Sequence, residues 1–139
     1  MLGGFYTHTI DDKGRVIMPS KLKSELGQEF IITRGLDNCL FVMSLSEWAA
    51  FEQKLNSAPT SKARWVQRFF FSGLAQISVD KQGRIQIPAH LREYAGLTGQ
   101  AVIIGNGTRC EIWSKERWSA LDDDMDSGSI AAAMDEMSL

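Results

Sequence analysis

Two cysteines in 139 residues, Cys39 and Cys110, stand alone with no metal-ligand spacing around them. A chain so poor in cysteine has neither a disulfide framework nor a thiolate metal site, and both residues read as small buried apolar side chains. No apolar run approaches the ~18 residues of a membrane span. The start, Met1-Leu2-Gly3-Gly4-Phe5, lacks a basic segment followed by an apolar one, so a cytoplasmic chain without a leader is expected. Enzymatic signatures are equally scarce. There is no phosphate-loop motif and no HExxH, and Gly105-Asn106-Gly107 lacks the third glycine and following helix of a dinucleotide site, so it reads as a turn. His8 and His90 have no nucleophile arrangement beside them and read as surface or core packing residues. Asp11 and Asp12 lie in a loop next to bases rather than in a metal pattern. The expectation is a protein that is not an enzyme and carries no cofactor.

Net positive charge is also missing. The formal charge is −2, which at face value argues against nucleic acid. That average hides an asymmetry. Asp122, Asp123, Asp124, Asp126, Asp135 and Glu136 fall after residue 120, where no base occurs. The preceding segment holds fifteen bases against eleven acids, a net +4. A mildly basic body with an acidic tail is compatible with a polyanionic partner. At 44% hydrophobic and 23% charged residues the chain is globular in composition, of a length suited to one domain or two intimately packed small ones.

The strongest feature present is an internal repeat. Residues 10–19, IDDKGRVIMP, align without gaps on residues 79–88, VDKQGRIQIP, at an offset of 69. Leu22 then matches Leu91 and Gly27 matches Gly96; after a two-residue insertion Cys39 falls on Cys110 and Phe41 on Ile112. Each copy is about 45 residues, too short to bury a core alone, so a shared core is expected.

Each copy reads as strand, turn, strand, short helix, strand, turn, strand. Ile77 and Val79 alternate with polar residues, as do Ile85 and Ile87 beyond the turn, which is the period of a half-buried hairpin. The loop between Asp80 and Arg84 ends in Gly83, the place where a three-residue hairpin loop wants a left-handed residue. Asp11, Gly14 and Arg15 repeat the arrangement, so each copy should set an aspartate opposite an arginine across a hairpin mouth. Pro19 and Pro88 precede short helices that end at Gly27 and Gly96. Further strand pairs are expected at 30–34 with 40–43 and at 101–104 with 111–114.

Between the copies, Ser44-Leu45-Ser46-Glu47 fits a capping box, and Trp48, Phe51 and Leu55 recur on one helical face. After Pro59 a second helix is expected, capped by Thr60 or Ser61, with Ala63, Val66 and Phe70 on one face and an end near Gly73. Lys62, Arg64 and Arg68 on it read as a solvated face, and Phe69-Phe70-Phe71 as core or subunit contact. Ile130, Ala133, Met134 and Met137 have helical spacing in a Ser-, Gly- and Asp-rich context, and a frayed tail is expected. The organisation predicted is a first repeat at 5–47, helices at 48–75, a second repeat at 76–119 and an acidic tail at 120–139.

The tandem Asp-x-x-x-Arg pattern, with glycine before the arginine and proline four positions after it, together with 33–41 (TRGLDNCLF) and 68–73 (RFFFSG), resembles the MraZ family of bacterial transcriptional regulators over about residues 1 to 120. The resemblance implies an α+β, mainly β fold: a swapped-hairpin AbrB-like β-barrel built from both copies, with short helices and an inter-repeat helical hairpin. It further implies a ring-shaped homo-oligomer, commonly an octamer. Such a ring would bind repeated promoter boxes in double-stranded DNA, control a division and cell-wall gene cluster, and sit on the nucleoid. Physical chemistry is consistent with this. Arg15 and Arg84 are the side chains able to grip guanine O6 and N7, with Asp11 and Asp80 holding their guanidinium groups and Gly14 and Gly83 shaping the loops. Lys13 and Lys81, on the loops but not at equivalent places, suit phosphates. Asp12-Lys13 against Lys81-Gln82 makes the loops unequal. A +4 body alone binds DNA weakly, so repeated loops on a ring would supply avidity. The alternative is an antitoxin-like or scaffolding module that presents its acidic tail to a basic partner; a salt-dependent shift of promoter DNA separates the two.

Overall fold

The computed structural model describes all 139 residues. The first repeat contributes strands β1 (Phe5–Thr9) and β2 (Arg15–Ile17), helix α1 (Ser20–Leu26), strands β3 (Glu29–Arg34) and β4 (Leu40–Ser44), and helix α2 (Leu45–Asn56). Helix α3 (Lys62–Gly73) leads into the second: β5 (Ala75–Ser78), β6 (Arg84–Gln86), α4 (Ala89–Ala95), β7 (Gln100–Asn106), β8 (Arg109–Ser114) and α5 (Lys115–Asp124). Helix α6 (Ser127–Glu136) ends the chain.

The apolar runs of β3 and β4 lack polar alternation because both faces of these strands are covered. Phe30, Ile32, Leu40 and Val42 enter one core with Val16, Leu22, Ile85, Ile87 and Leu91, while Ile31, Phe41 and Met43 enter a second under Trp48, Phe70 and Trp113. Phe30, Ile32, Leu40 and Val42 are fully buried, and each such side chain contributes ~1.5–3 kcal/mol of transfer free energy. The seven-residue helices α1 and α4 are too short to persist by themselves, and the buried Leu22 and Leu91 anchor them to the first core. That core draws on both repeats, as a unit of this length requires. Cys39 and Cys110 are free and fully buried, and burial pushes both thiols up to about 12.

Six strands form one antiparallel sheet in the order β1-β7-β8-β4-β3-β5, and β2 pairs only with β6. The strand pairs expected at 30–34 with 40–43 and at 101–104 with 111–114 are made, as β3 with β4 and β7 with β8, but the hairpins expected across the two Asp–Arg loops are not. β1 lies on β7 and β5 on β3, each across the repeat boundary, and β2 and β6 form a separate two-stranded ribbon. Alternation specifies which face of a strand is buried but not which chain segment completes its ladder, so the exchange is invisible to period. Nor does the sheet close into the expected barrel: β1 and β5 remain its edges.

Other elements follow local chemistry. Ser44 caps α2 by accepting from the backbone N–H of Glu47 at 3.2 Å, which is the serine half of the expected capping box; the Glu47 carboxylate makes no return bond to the Ser44 N–H. The expected cap of α3 is not formed: Ser61 has helical backbone angles, and its side chain accepts no capping bond. Gly105 and Asn106, expected in a turn, continue β7, and the turn falls at Gly107 and Thr108. The tail is a helix instead of a frayed segment, because Asp126 accepts from the backbone N–H of Ser129 at 2.9 Å and starts it properly. None of its residues is buried. No helix is long and apolar enough to cross a membrane.

Candidate nucleic-acid interface

Both Asp-x-x-x-Arg segments fold into the same closed loop. Asp11 donates its backbone N–H to the Arg15 carbonyl (3.0 Å) and accepts from the Gly14 N–H (3.0 Å); Asp80, Arg84 and Gly83 repeat this at 2.8 and 3.0 Å. The closing position demands positive φ, and Gly14 and Gly83 adopt 80° and 77°.

Within each loop the aspartate is a hub. Oδ1 of Asp11 accepts from the backbone N–H of Arg15 (2.8 Å) and Lys13 (3.0 Å), and Oδ2 accepts from Arg15 Nε (2.7 Å). Asp80 accepts from the backbone of Arg84 (2.8 Å) and Gln82 (2.9 Å) and from Arg84 Nε (3.0 Å). The backbone N–H of each arginine is the largest reason that the Asp11 and Asp80 carboxyls lie below the ordinary 3.8, with the guanidinium adding to it. Only Nε of each arginine is engaged. The terminal nitrogens make no hydrogen bond within the chain, and the two arginine side chains are about one-third exposed.

The exchange of strands places the two loops on one device. Arg15 pairs with Gln86, Val16 with Ile85 and Ile17 with Arg84. Val16 and Ile85 are buried, so alternation turns Arg15, Ile17, Arg84 and Gln86 to the opposite, outer face. Beyond the ribbon's ends, Ile87 donates its N–H to the Gly14 carbonyl and Met18 to that of Gly83, both at 2.9 Å. Each loop is thus held by the other repeat. Gln86 donates its amide to the Lys13 carbonyl (2.9 Å), and Arg92 donates from Nε to the Ile87 carbonyl (3.0 Å) behind Gly14.

All eight residues singled out in the sequence lie in these loops, Asp11 with Arg15 and Asp80 with Arg84 in contact, Lys13 and Lys81 exposed. Sequence reasoning missed Ile17, Gln86 and Arg92, whose places depend on pairing between repeats. The available signal was the mismatch of Ile17 with Gln86, the one apolar-to-polar change in the aligned segment beside the charge changes of Asp12-Lys13 against Lys81-Gln82. His8 and His90 lie apart from the ribbon loops, His8 opposite Ala101 in β1 and His90 near the Gly73 carbonyl (3.3 Å).

The two Asp–Arg pairs thus sit on one two-stranded ribbon whose loops are shaped by both repeats. The family model described as "MraZ protein, putative antitoxin-like" matches residues 1–69 and again 70–139. "Transcriptional regulator MraZ" of Caldicellulosiruptor saccharolyticus is 53% identical over 143 aligned positions, covering all of both chains. The proteins of the same name from Acetivibrio thermocellus and Halothermothrix orenii are 54% and 51% identical, with 96% and 100% of each chain covered. The chain belongs to the MraZ family, with two tandem repeats, and the family is non-enzymatic.

Proposed function

We propose that this chain is a sequence-specific DNA-binding transcriptional regulator that sets the β2–β6 ribbon and its loops into the major groove of double-stranded DNA. The carrying observation is the pair of matched loops in which an aspartate holds arginine by Nε alone and leaves the terminal nitrogens without a partner in the chain. A two-stranded ribbon fits a groove ~12 Å wide. Arg15 and Arg84 take guanines, Asp11 and Asp80 orient them, Gly14 and Gly83 shape the loops, and Lys13 and Lys81 take phosphates. The relatives' shared name supports regulation. From the family resemblance come the targets, repeated promoter boxes of a division and cell-wall gene cluster, and a cytoplasmic, nucleoid-associated setting. The division into repeats at 5–47 and 76–119, helices at 48–75 and tail at 120–139 belongs to the same reading.

The active form is a ring-shaped homo-oligomer, an octamer by family resemblance. Its support is an open apolar groove of about 690 Å³ along α2 and α3, lined by Leu36, Phe41, Phe51, Trp65, Val66 and Phe69. Trp65 is 73% exposed there, a large side chain that a neighbouring copy would cover. Unlike faces of one chain in contact close into a ring when the rotation permits.

Selection of bound sequences from random DNA, followed by titration of the Arg15→Ala/Arg84→Ala double variant, tests the reading. Each lost base contact should cost ~1–3 kcal/mol and relax the sequence preference, whereas Lys13→Ala should weaken all DNA alike and lower the salt slope by about 1. Unchanged affinity and selectivity in the double variant, with its circular dichroism intact, would overturn it.

A further inference from the structure

The two arginines of the ribbon have different neighbours. Arg15 stands opposite Gln86 and Arg84 opposite Ile17, and Ile17 and Gln86 are the matched positions of the two repeats. The ribbon is two-fold in backbone but not in what it presents.

At the Arg15 end the neighbour is occupied, since the Gln86 amide is spent on the Lys13 carbonyl. At the Arg84 end it is not. Ile17 is 47% exposed while Val16 and Ile85 on the reverse face are 1% exposed. Directly opposed residues of an antiparallel pair have Cβ atoms ~4.5–5.5 Å apart, so Ile17 stands beside Arg84 on the outer face of the ribbon. A lone exposed isoleucine on a surface is unremarkable. This one is a stiff β-branched side chain on the strand that carries a base-reading arginine. In the major groove the apolar feature that distinguishes one base pair from another is the 5-methyl of thymine.

We propose that Ile17 packs on the 5-methyl group of a thymine adjacent to the guanine gripped by Arg84, a contact without counterpart at the Arg15 end. The inference rests on the DNA-binding reading and adds the base class and a direction to it. A protein two-fold in its contacts matches a palindromic site. Unlike ends read a box in one orientation, which suits boxes repeated head to tail.

The test uses the full-length protein and a DNA site selected with it. Thymines are replaced one at a time by deoxyuridine, which removes only the methyl. One position, next to the guanine whose contact disappears in Arg84→Ala, should lose about fourfold in affinity, the equivalent of one buried methyl. In Ile17→Ala the same replacement should change nothing, because the two losses are the same contact. Ile17→Gln, which makes the two ends alike, should be equally indifferent. Specific binding with an Arg84-dependent guanine but no methyl-sensitive thymine, or a penalty that persists in Ile17→Ala, overturns this inference and leaves the DNA reading standing. Absence of specific binding overturns both. Should Ile17→Ala fail to fold, the deoxyuridine series on the unaltered protein decides alone.

Discussion

Ile87 donates its backbone N–H to the carbonyl of Gly14 at 2.9 Å, so the segment just after β6 of the second repeat holds the Asp–Arg loop of the first. Met18 and Gly83 make the reciprocal bond. Neither loop depends on its own repeat alone for its shape, and a loop ordered before binding loses less freedom on meeting DNA.

The two loop glycines should differ in their tolerance of a side chain. A Cβ on Gly14 would lie 2.9 Å from the Ile87 carbonyl and 2.6 Å from Arg92 Nε; on Gly83 it would meet nothing within 4 Å. Both substitutions bear the cost of a left-handed backbone, ~1–2 kcal/mol. Gly14→Ala must also push against backbone, so urea midpoints should fall further for it than for Gly83→Ala. Equal midpoints would show that the Arg92 side of the loop yields freely.

Acid should act on the loops only below the usual carboxylate range. Folding depresses the Asp11 and Asp80 carboxyls below 3.8 by the backbone N–H groups aimed at them. Their contribution to stability is therefore complete above that value and is lost as pH falls through the lowered folded values. Carbon-detected NMR titration should find both midpoints under 3.8. Midpoints at or above it would mean that the carboxylates are not held as described.

Thr33 should tie the oligomer to the fold. Its fully buried hydroxyl donates to the Phe70 carbonyl at 2.6 Å, and Arg34 donates to that of Phe69 at 2.7 Å from Nη2, with its guanidinium 4.5 Å from the Phe69 ring centre. These bonds fasten the C-terminal end of α3 to the sheet. Thr33→Val leaves a buried carbonyl unpaired and should cost ~1–3 kcal/mol in thermal or urea unfolding. Because α3 carries Trp65, the variant should also assemble less well.

Trp65 itself should matter to assembly and not to folding. Being 73% exposed, it gives little to the monomer. Sedimentation of Trp65→Glu should show a 15.5 kDa species where the unaltered chain sediments as a multiple of that mass. A monomer before substitution would remove the ring and the avidity that follows from it.

The two repeats, the loop glycines, the capping box at Ser44 and the Asp–Arg pairs were legible in the residues because each depends on neighbours a few positions apart. Period 2 and period 3.6 report local geometry, and Asp11 reaches Arg15 whatever lies beyond them. The pairing of β3 with β4 and of β7 with β8 was legible too, but the partners of β1, β2, β5 and β6 were not. β2 meets β6, and not the strand just before its own loop, because the shared core is completed only when Val16 and Ile85 lie side by side. Local pattern assigns a face and leaves the neighbour open, and packing of two incomplete halves decides it. Placing Ile17 beside Arg84 and Gln86 beside Arg15 was therefore a decision of the tertiary structure alone.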